Sequence, residues 1–150
     1  MLELYLFRHG LTDWNAQRRL QGHQDIPLNE RGREQARELA AACEGLGLER
    51  IVSSDLARAL QTARCVGEHL GVPVSEEPAL REARMGQVEG LTYEEILERF
   101  GDTALQIWRD PTSTRGALDR RFPGGESLRE LIDRVWVVLD GMARSVRGTV

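Results

Sequence analysis

The tripeptide Arg8-His9-Gly10 contains the residue types that point most directly to chemistry. It follows a mostly apolar run at 2–7 that predicts a β-strand, and open parallel sheets bind ligands beyond the carboxyl ends of their strands. A histidine beside an arginine at such a place indicates phosphoryl chemistry, in which an imidazole attacks phosphorus and a guanidinium holds the phosphate oxygens. Residues 12–15 add hydroxyl, carboxylate and amide groups nearby.

Three further polar clusters follow predicted strands or open predicted helices. They are 53–55 together with Arg58, then Glu82, then 124–127. Taken alone, Arg58 fits a solvated helix surface, and Glu82 fits a loop cap or an ion pair with a neighbouring arginine. Because the clusters occur in order along one short chain, we favour a shared site over unrelated surface features.

The elements that must position these residues follow from the hydrophobic periodicity. Strands are expected at 2–7, 50–53 and 72–74. Helices are expected from Glu30 (capped by Asn29) to Gly45, from a cap at Ser54 or Asp55 to Gly71, from a Thr92–Glu95 capping box to Phe100, around Ile107 and Trp108, and from Leu128 to Met142. Residues 10–29 and 110–125 are expected to be loops. Alternating strands and helices predict an α/β fold with a mainly parallel sheet.

The bulk properties exclude several classes of protein. At 150 residues, one domain over 1–150 is the simplest prediction. A formal charge of −4 argues against nucleic acid or anionic lipid as a partner. Cys43 and Cys65 have no further cysteine or histidine at ligand spacing, so we expect reduced core thiols and no metal site. No leader or long apolar run is seen, which predicts a cytoplasmic protein with no membrane partner.

The segment 6–15 closely resembles the signature of the histidine phosphatase superfamily, which has the phosphoglycerate mutase-like fold. Segments similar to other parts of that family follow in the same order at 21–28, 53–63 and 80–91. The resemblance covers essentially the whole chain and implies a three-layer α/β/α fold. The short chain and the segment 123–127 resemble the small phosphatase branch, which includes broad-specificity phosphatases and α-ribazole phosphatase.

The resemblance implies a role for each polar cluster. His9 would be the nucleophile that forms a phosphohistidine, Arg8 and Arg58 would clamp the phosphoryl oxygens, and Glu82 would be the general acid and later the base. The implied substrate-binding residues are Thr12, Asn15, Gly22, His23, Glu126 and Ser127. No metal or cofactor is expected, because the arginines supply the positive charge. The expected substrate is a phosphate monoester of a small metabolite.

Two of these assignments have structural alternatives. His23 fits either a substrate-loop contact or a plain loop histidine. At the glycine pair 124–125, backbone amides could approach an anion, with Glu126 or Ser127 as a ligand, or one of the two could simply cap the following helix. We favour the cap.

The family places a second catalytic histidine after the last helix predicted here, and the chain has only His9, His23 and His69. Because 147–150 predicts the start of a core strand, we expect that a C-terminal strand and helix are missing. A degenerate copy or a chain completed by a partner are the alternatives, and an exposed sheet edge would favour a homodimer. Function accordingly has three candidates: a phosphatase, a phosphoglycerate mutase, and a non-catalytic phospho-ligand- or protein-binding module.

Overall fold

A computed structural model describes residues 2–102, 104, 117–145 and 148–150. The helical stretch predicted around Ile107 and Trp108 lies outside these residues. The chain divides into two compact units, the first formed by Met1–Asp13, Asp25–Arg81 and Trp136–Val150, and the second by Trp14–Gln24 and Glu82–Val135. A single domain over the whole chain stays a prediction.

Helices and strands alternate along much of the described chain. They are β1 (Leu2–Glu3), α1 (Asp13–Ala16), α2 (Glu30–Ala42), β2 (Ile51–Ser53), α3 (Ala57–Leu70), β3 (Val74–Glu76), α4 (Tyr93–Phe100), α5 (Leu128–Ser145) and β4 (Gly148–Thr149). Short 3₁₀ turns occur at Pro78–Leu80, Gly86–Val88 and Ala117–Asp119. β1 pairs with β4 and β2 with β3, both in parallel. Helices with parallel strands confirm the predicted α/β class.

The first strand is shorter than the predicted run of 2–7. Its last ladder contact is the N–H of Tyr5, which donates to the carbonyl of Val150 at 2.9 Å. Beyond it, Leu6 is 82% exposed and Phe7 is 51% exposed, and neither belongs to a strand of the described chain. The apolar pattern overestimates this strand because cross-strand pairing, and not hydrophobicity, decides where a strand ends.

The first unit has a small core between its helices and strands. Ala40, Cys43 and Val66 are buried there. α2 begins as predicted, since the Asn29 side chain accepts the N–H of Gly32 at 2.9 Å. Burial raises the pKa of the Cys43 thiol. Both cysteines are free thiols, but Cys65 is only half-buried, so the core prediction holds fully for Cys43 alone.

β3 lies two residues later than the predicted strand at 72–74. The N–H of Val72 donates to the carbonyl of Gly67 and thereby completes the end of α3. Pro73 has no N–H and contributes only its carbonyl, which accepts the N–H of Ile51. Regular pairing therefore starts only at Val74.

The second unit has its own core. Ala83, Met85, Val88, Ile96 and Phe122 are buried in it. The capping box predicted for α4 is present: the Thr92 hydroxyl accepts the N–H of Glu95, and the Glu95 carboxylate accepts the N–H of Thr92. None of the helices within the described residues is long and apolar enough to cross a membrane.

Candidate active site

The ring orientation of His9 is set by two hydrogen bonds in the first unit. Its Nδ1 lies 2.7 Å from the carbonyl oxygen of Gly10. Because a carbonyl oxygen only accepts, Nδ1 carries the proton and donates. Nε2 then bears the lone pair, and it accepts a hydrogen bond from Nε of Arg58 at 3.2 Å. This is the tautomer that an attack through Nε2 requires.

Arg58 is a buried cation in the first turn of α3, with 2% of its surface exposed. The start of this helix differs from the prediction. Leu56 is the cap residue and has no side-chain acceptor, and the N–H of Ala57 donates instead to the carboxylate of Asp25 at 2.6 Å. The predicted cap at Ser54 or Asp55 is therefore wrong, because the acceptor comes from 32 positions earlier in the chain. Ser54 accepts the N–H of Leu56 just before the helix.

The backbone of Gly10 is held against α2 and α3. Its N–H donates to the hydroxyl of Thr62 at 3.1 Å, and that hydroxyl donates to the carbonyl of Arg58 at 2.8 Å. A Cβ at position 10 would lie 2.4 Å from the carbonyl oxygen of Gly32. The two backbones can approach this closely because both Gly10 and Gly32 lack a Cβ. The peptide that follows His9 is therefore held in one position.

The other predicted residues of the first unit differ in exposure. Arg8 is exposed, and its guanidinium forms no ion pair with any residue that the structure describes. Thr12 is completely buried and pairs with Leu28 in a short antiparallel bridge. That position serves the loop, so contact of Thr12 with a substrate stays a prediction.

In the second unit, Glu82 begins an irregular segment, 82–85, that belongs to no helix or strand. Its exposed side chain accepts the N–H of Ala83 at 2.9 Å, which is the local cap considered as an alternative from the sequence. Its backbone carbonyl accepts from Nε2 of His23 at 2.8 Å and from Nη2 of Arg134 at 2.9 Å. The structure thus brings two of the predicted residues together, His23 and Glu82, through the backbone of the second.

Glu89 lies in the segment 80–91 that resembles the family, and it connects three groups of the second unit, a role not expected from the sequence. Its Oε1 accepts the backbone N–H groups of His23 and Met85, each at 3.0 Å. Its Oε2 accepts from the side chain of Gln24 at 2.9 Å. Gly22 has a φ of +51°, and a Cβ there would lie 2.4 Å from the Glu89 carboxylate. The predicted substrate residue Gly22 is thus required by the loop itself. Asn15, its predicted companion, lies half-buried in α1.

Glu126 forms a largely buried ion pair with Arg134, with Nε at 2.7 Å and Nη2 at 2.8 Å from its two carboxylate oxygens. It also accepts the N–H of Arg84 at 3.1 Å. Burial raises the pKa of the Glu126 carboxyl, but the guanidinium and the Arg84 N–H outweigh it, so the net pKa is lowered. Arg134 was missed from the sequence, where it reads as one more charged position of an amphipathic helix.

The start of α5 supports the cap interpretation of 124–127. Ser127 and Glu130 form a reciprocal cap, because the N–H of each residue donates to the side chain of the other. The N–H groups of Gly125 and Glu126 donate to the carbonyls of Phe122 and Arg84. These four amides are already engaged within the protein, so the helix start offers them to no anion.

A model of the histidine phosphatase superfamily (branch 1) matches residues 4–150. This chain belongs to that superfamily. A probable phosphoglycerate mutase, GpmB, of Enterobacter sp. (strain 638) is 42% identical over 139 residues, which are 93% of this chain and 62% of that protein. The chain thus spans about three fifths of the length of the curated relatives that it matches.

Solved structures agree with the family assignment and with its phosphoglycerate mutase-like fold. Bacillus stearothermophilus YhfR superposes with a TM-score of 0.84 at 34% identity, covering 100% of this chain and 72% of that one. The mycobacterial glucosyl-3-phosphoglycerate phosphatase Rv2419c, in complex with VO3, gives a TM-score of 0.83 at 32% identity, covering 97% of this chain and 64% of that one.

Proposed function

We propose that this chain carries the nucleophilic centre of a phosphatase that hydrolyses phosphate monoesters of small metabolites through a phosphohistidine on His9. The observation that carries the proposal is the pair of contacts on the His9 ring: Nδ1 donates to Gly10 and Nε2 accepts from Arg58. In this histidine phosphatase superfamily member, the atom with the lone pair faces a buried guanidinium. A phosphoryl group at that place would meet a nucleophile and a cation together.

The reaction proceeds in two balanced steps. In the first, the Nε2 lone pair of His9 attacks phosphorus, the bond from phosphorus to the leaving oxygen breaks, and the protonated carboxyl of Glu82 gives its proton to that oxygen. In the second, water attacks phosphorus, its proton passes to the Glu82 carboxylate, and the bond from phosphorus to Nε2 breaks. Arg58 and the exposed Arg8 hold the three phosphoryl oxygens throughout.

The test is quantification of alkali-stable, enzyme-bound phosphate after mixing with p-nitrophenyl phosphate carrying a radioactive phosphorus label and rapid denaturation in alkali, which preserves phosphohistidine. We expect one labelled site, and its loss together with at least about a 10⁴-fold loss of turnover in H9A. Full turnover by H9A would contradict the proposal. Arg64→Ala, on the exposed face of α3, is the matched control and should retain turnover.

A mutase is the second candidate, because several relatives are named probable phosphoglycerate mutases. Both candidates form the same phosphohistidine. They separate on the product: a phosphatase releases inorganic phosphate from a phosphorylated sugar acid, whereas a mutase returns an isomer with its phosphate on another oxygen. We expect net phosphate release, and a positional isomer without release would favour the mutase.

Activity is expected to need no metal ion, because the positive charge at the phosphoryl group comes from Arg8 and Arg58. Among the described residues, no group of three His, Cys, Asp or Glu side chains could hold a metal. Dialysis against EDTA should therefore leave turnover within about twofold of its starting value. A loss restored by one added divalent cation would contradict this expectation.

A further inference from the structure

The segment 82–85 carries the proposed proton donor, yet no helix or strand holds it. One backbone bond, from the N–H of Glu126 to the carbonyl of Arg84, holds it together with several side chains. The carbonyl of Glu82 accepts from His23 and Arg134, and the N–H of Arg84 and that of Met85 each donate to a carboxylate. Such backbone groups would otherwise depend on water, and a segment bonded only to water samples many conformations.

Two carboxylates, those of Glu126 and Glu89, each accept an N–H of the segment and orient a second side chain that donates to it. Glu126 accepts the N–H of Arg84 and orients Arg134 through a bidentate ion pair, and Arg134 then reaches the carbonyl of Glu82. Glu89 accepts the N–H of Met85 and that of His23, and the imidazole of His23 reaches the same carbonyl. Both chains of contacts therefore converge on one oxygen atom.

We propose that Glu126 with Arg134, and Glu89 with His23, are positioning pairs that hold the peptide of Glu82 in place for proton transfer. The proposal rests on the function proposed above, because it assigns Glu82 the transferred proton. It gives Glu126 and His23 a structural route to catalysis in place of the substrate contact that the sequence predicted. None of the four needs to touch the substrate.

Arg134 and Glu126 are mostly buried, as expected of a pair that holds a peptide in place. The side chains of Arg134 and Glu126 are 23% and 12% exposed, so the pair is shielded and its geometry is constrained. Arginine suits the position because its planar fork can satisfy both oxygens of Glu126 while Nη2 also reaches a carbonyl. A lysine would supply the charge without the fork.

The first experiment compares two substrates that differ in how much they need a proton donor. An alkyl phosphate such as glycerol 2-phosphate has a poor leaving group, whereas p-nitrophenyl phosphate releases a stabilised phenolate. We expect R134M and E126Q to lower kcat/KM for the alkyl phosphate about 10- to 100-fold, because misplacing Glu82 loses part of the roughly 10²- to 10⁴-fold that a general acid contributes. We expect kcat/KM for p-nitrophenyl phosphate to fall less than threefold. The ratio kcat/KM is compared because it reports the transfer to His9, whereas hydrolysis of the phosphohistidine is common to both substrates and also uses Glu82.

The controls separate positioning from general destabilisation. E95Q removes a carboxylate that caps α4 and pairs with Arg19 in the same unit, and it should not change the ratio of the two substrates. R134K should recover only part of the loss in R134M, because it restores charge without the fork. Equal losses of kcat/KM on both substrates, or no loss on either, would overturn the proposal.

The second experiment does not depend on turnover. Hydrogen exchange followed residue by residue should quicken at the amide of Arg84 in E126Q and at that of Met85 in E89Q, while the amides of α4 keep the exchange rates of the wild-type chain. Unchanged exchange at both amides would show that the carboxylates do not hold the segment. If the wild-type chain formed no phosphohistidine and turned over neither substrate, only the proposed function would be contradicted. The exchange rates would still show whether the two carboxylates hold the segment 82–85.

Discussion

The His9 centre in the first unit and the Glu82 segment in the second are held by different kinds of contact. Around His9, two glycine backbones meet, the hydroxyl of Thr62 bridges Gly10 to α3, and the buried Arg58 donates a hydrogen bond to Nε2 of the ring. Around Glu82, the carboxylates of Glu126 and Glu89 and the imidazole of His23 hold an irregular segment. The first region should therefore be sensitive to added volume and the second to lost charge.

The largest loss of activity is expected from replacing the buried Arg58, and replacing the exposed Arg8 should cost less. R58K should lower kcat/KM for p-nitrophenyl phosphate by about 10² to 10³, because a lysine cannot keep both the contact with His9 and a fork toward phosphoryl oxygens. R8K should cost about tenfold, since Arg8 is exposed and a lysine can still approach the phosphate. Equal losses in the two variants would contradict the different burial of these cations.

Added volume gives the next largest effect. G10A should lower the free energy of unfolding by at least about 2 kcal/mol, because the new methyl meets the rigid backbone of Gly32. G22A should cost about 1 kcal/mol, since its left-handed φ is strained but the side chain that it meets, Glu89, can move. Urea titration of the two variants measures the difference. If G22A were the more damaging change, backbone contact would not be the stronger constraint.

A smaller loss is expected at the cap of α4. T92A should lower the free energy of unfolding by about 1 kcal/mol because it removes the acceptor for the N–H of Glu95. T92S keeps the hydroxyl and should stay close to wild type. Thermal unfolding of the pair checks the prediction, and indistinguishable melting temperatures for the two variants would argue against the cap.

The smallest effect depends on pH. The folded-state pKa of Glu126 is lowered, so its contribution to stability is complete above the unfolded-state pKa and is lost as pH falls through the folded-state value. The stability difference between wild type and E126Q should therefore shrink as pH falls below about 4, where free carboxyls protonate. Urea titrations at neutral pH and in mild acid measure it. If the stability difference between wild type and E126Q grew as the pH fell, the pKa of Glu126 would have to be raised in the folded state, which would contradict this prediction.

Local signals explain what could be predicted from the sequence. The start of α2 and the capping box of α4 rest on side chains within three residues of the groups they satisfy, so both were predicted correctly. The pairing of His9 with Arg58 could be expected only because the motifs resemble a family. The hydrophobic pattern alone places these residues on separate elements.

The remaining contacts could not be predicted because they join distant positions without periodicity. Asp25 caps α3 across 32 positions, Arg134 reaches Glu82 across 52, and Glu89 reaches His23 across 66. A carboxylate that accepts a remote N–H has the same sequence signature as one on the solvated surface. Which charged residues serve the site is therefore decided by the fold.

The bond between the N–H of Gly10 and the hydroxyl of Thr62 has a practical consequence for spectroscopy. The amide lies one peptide from the His9 ring, yet its acceptor belongs to α3, the helix that supplies Arg58. Any ligand that moves the imidazole or the guanidinium perturbs both ends of this single bond. In a ¹⁵N-labelled sample, the cross-peak of Gly10 is thus a natural reporter of occupancy, with no added label.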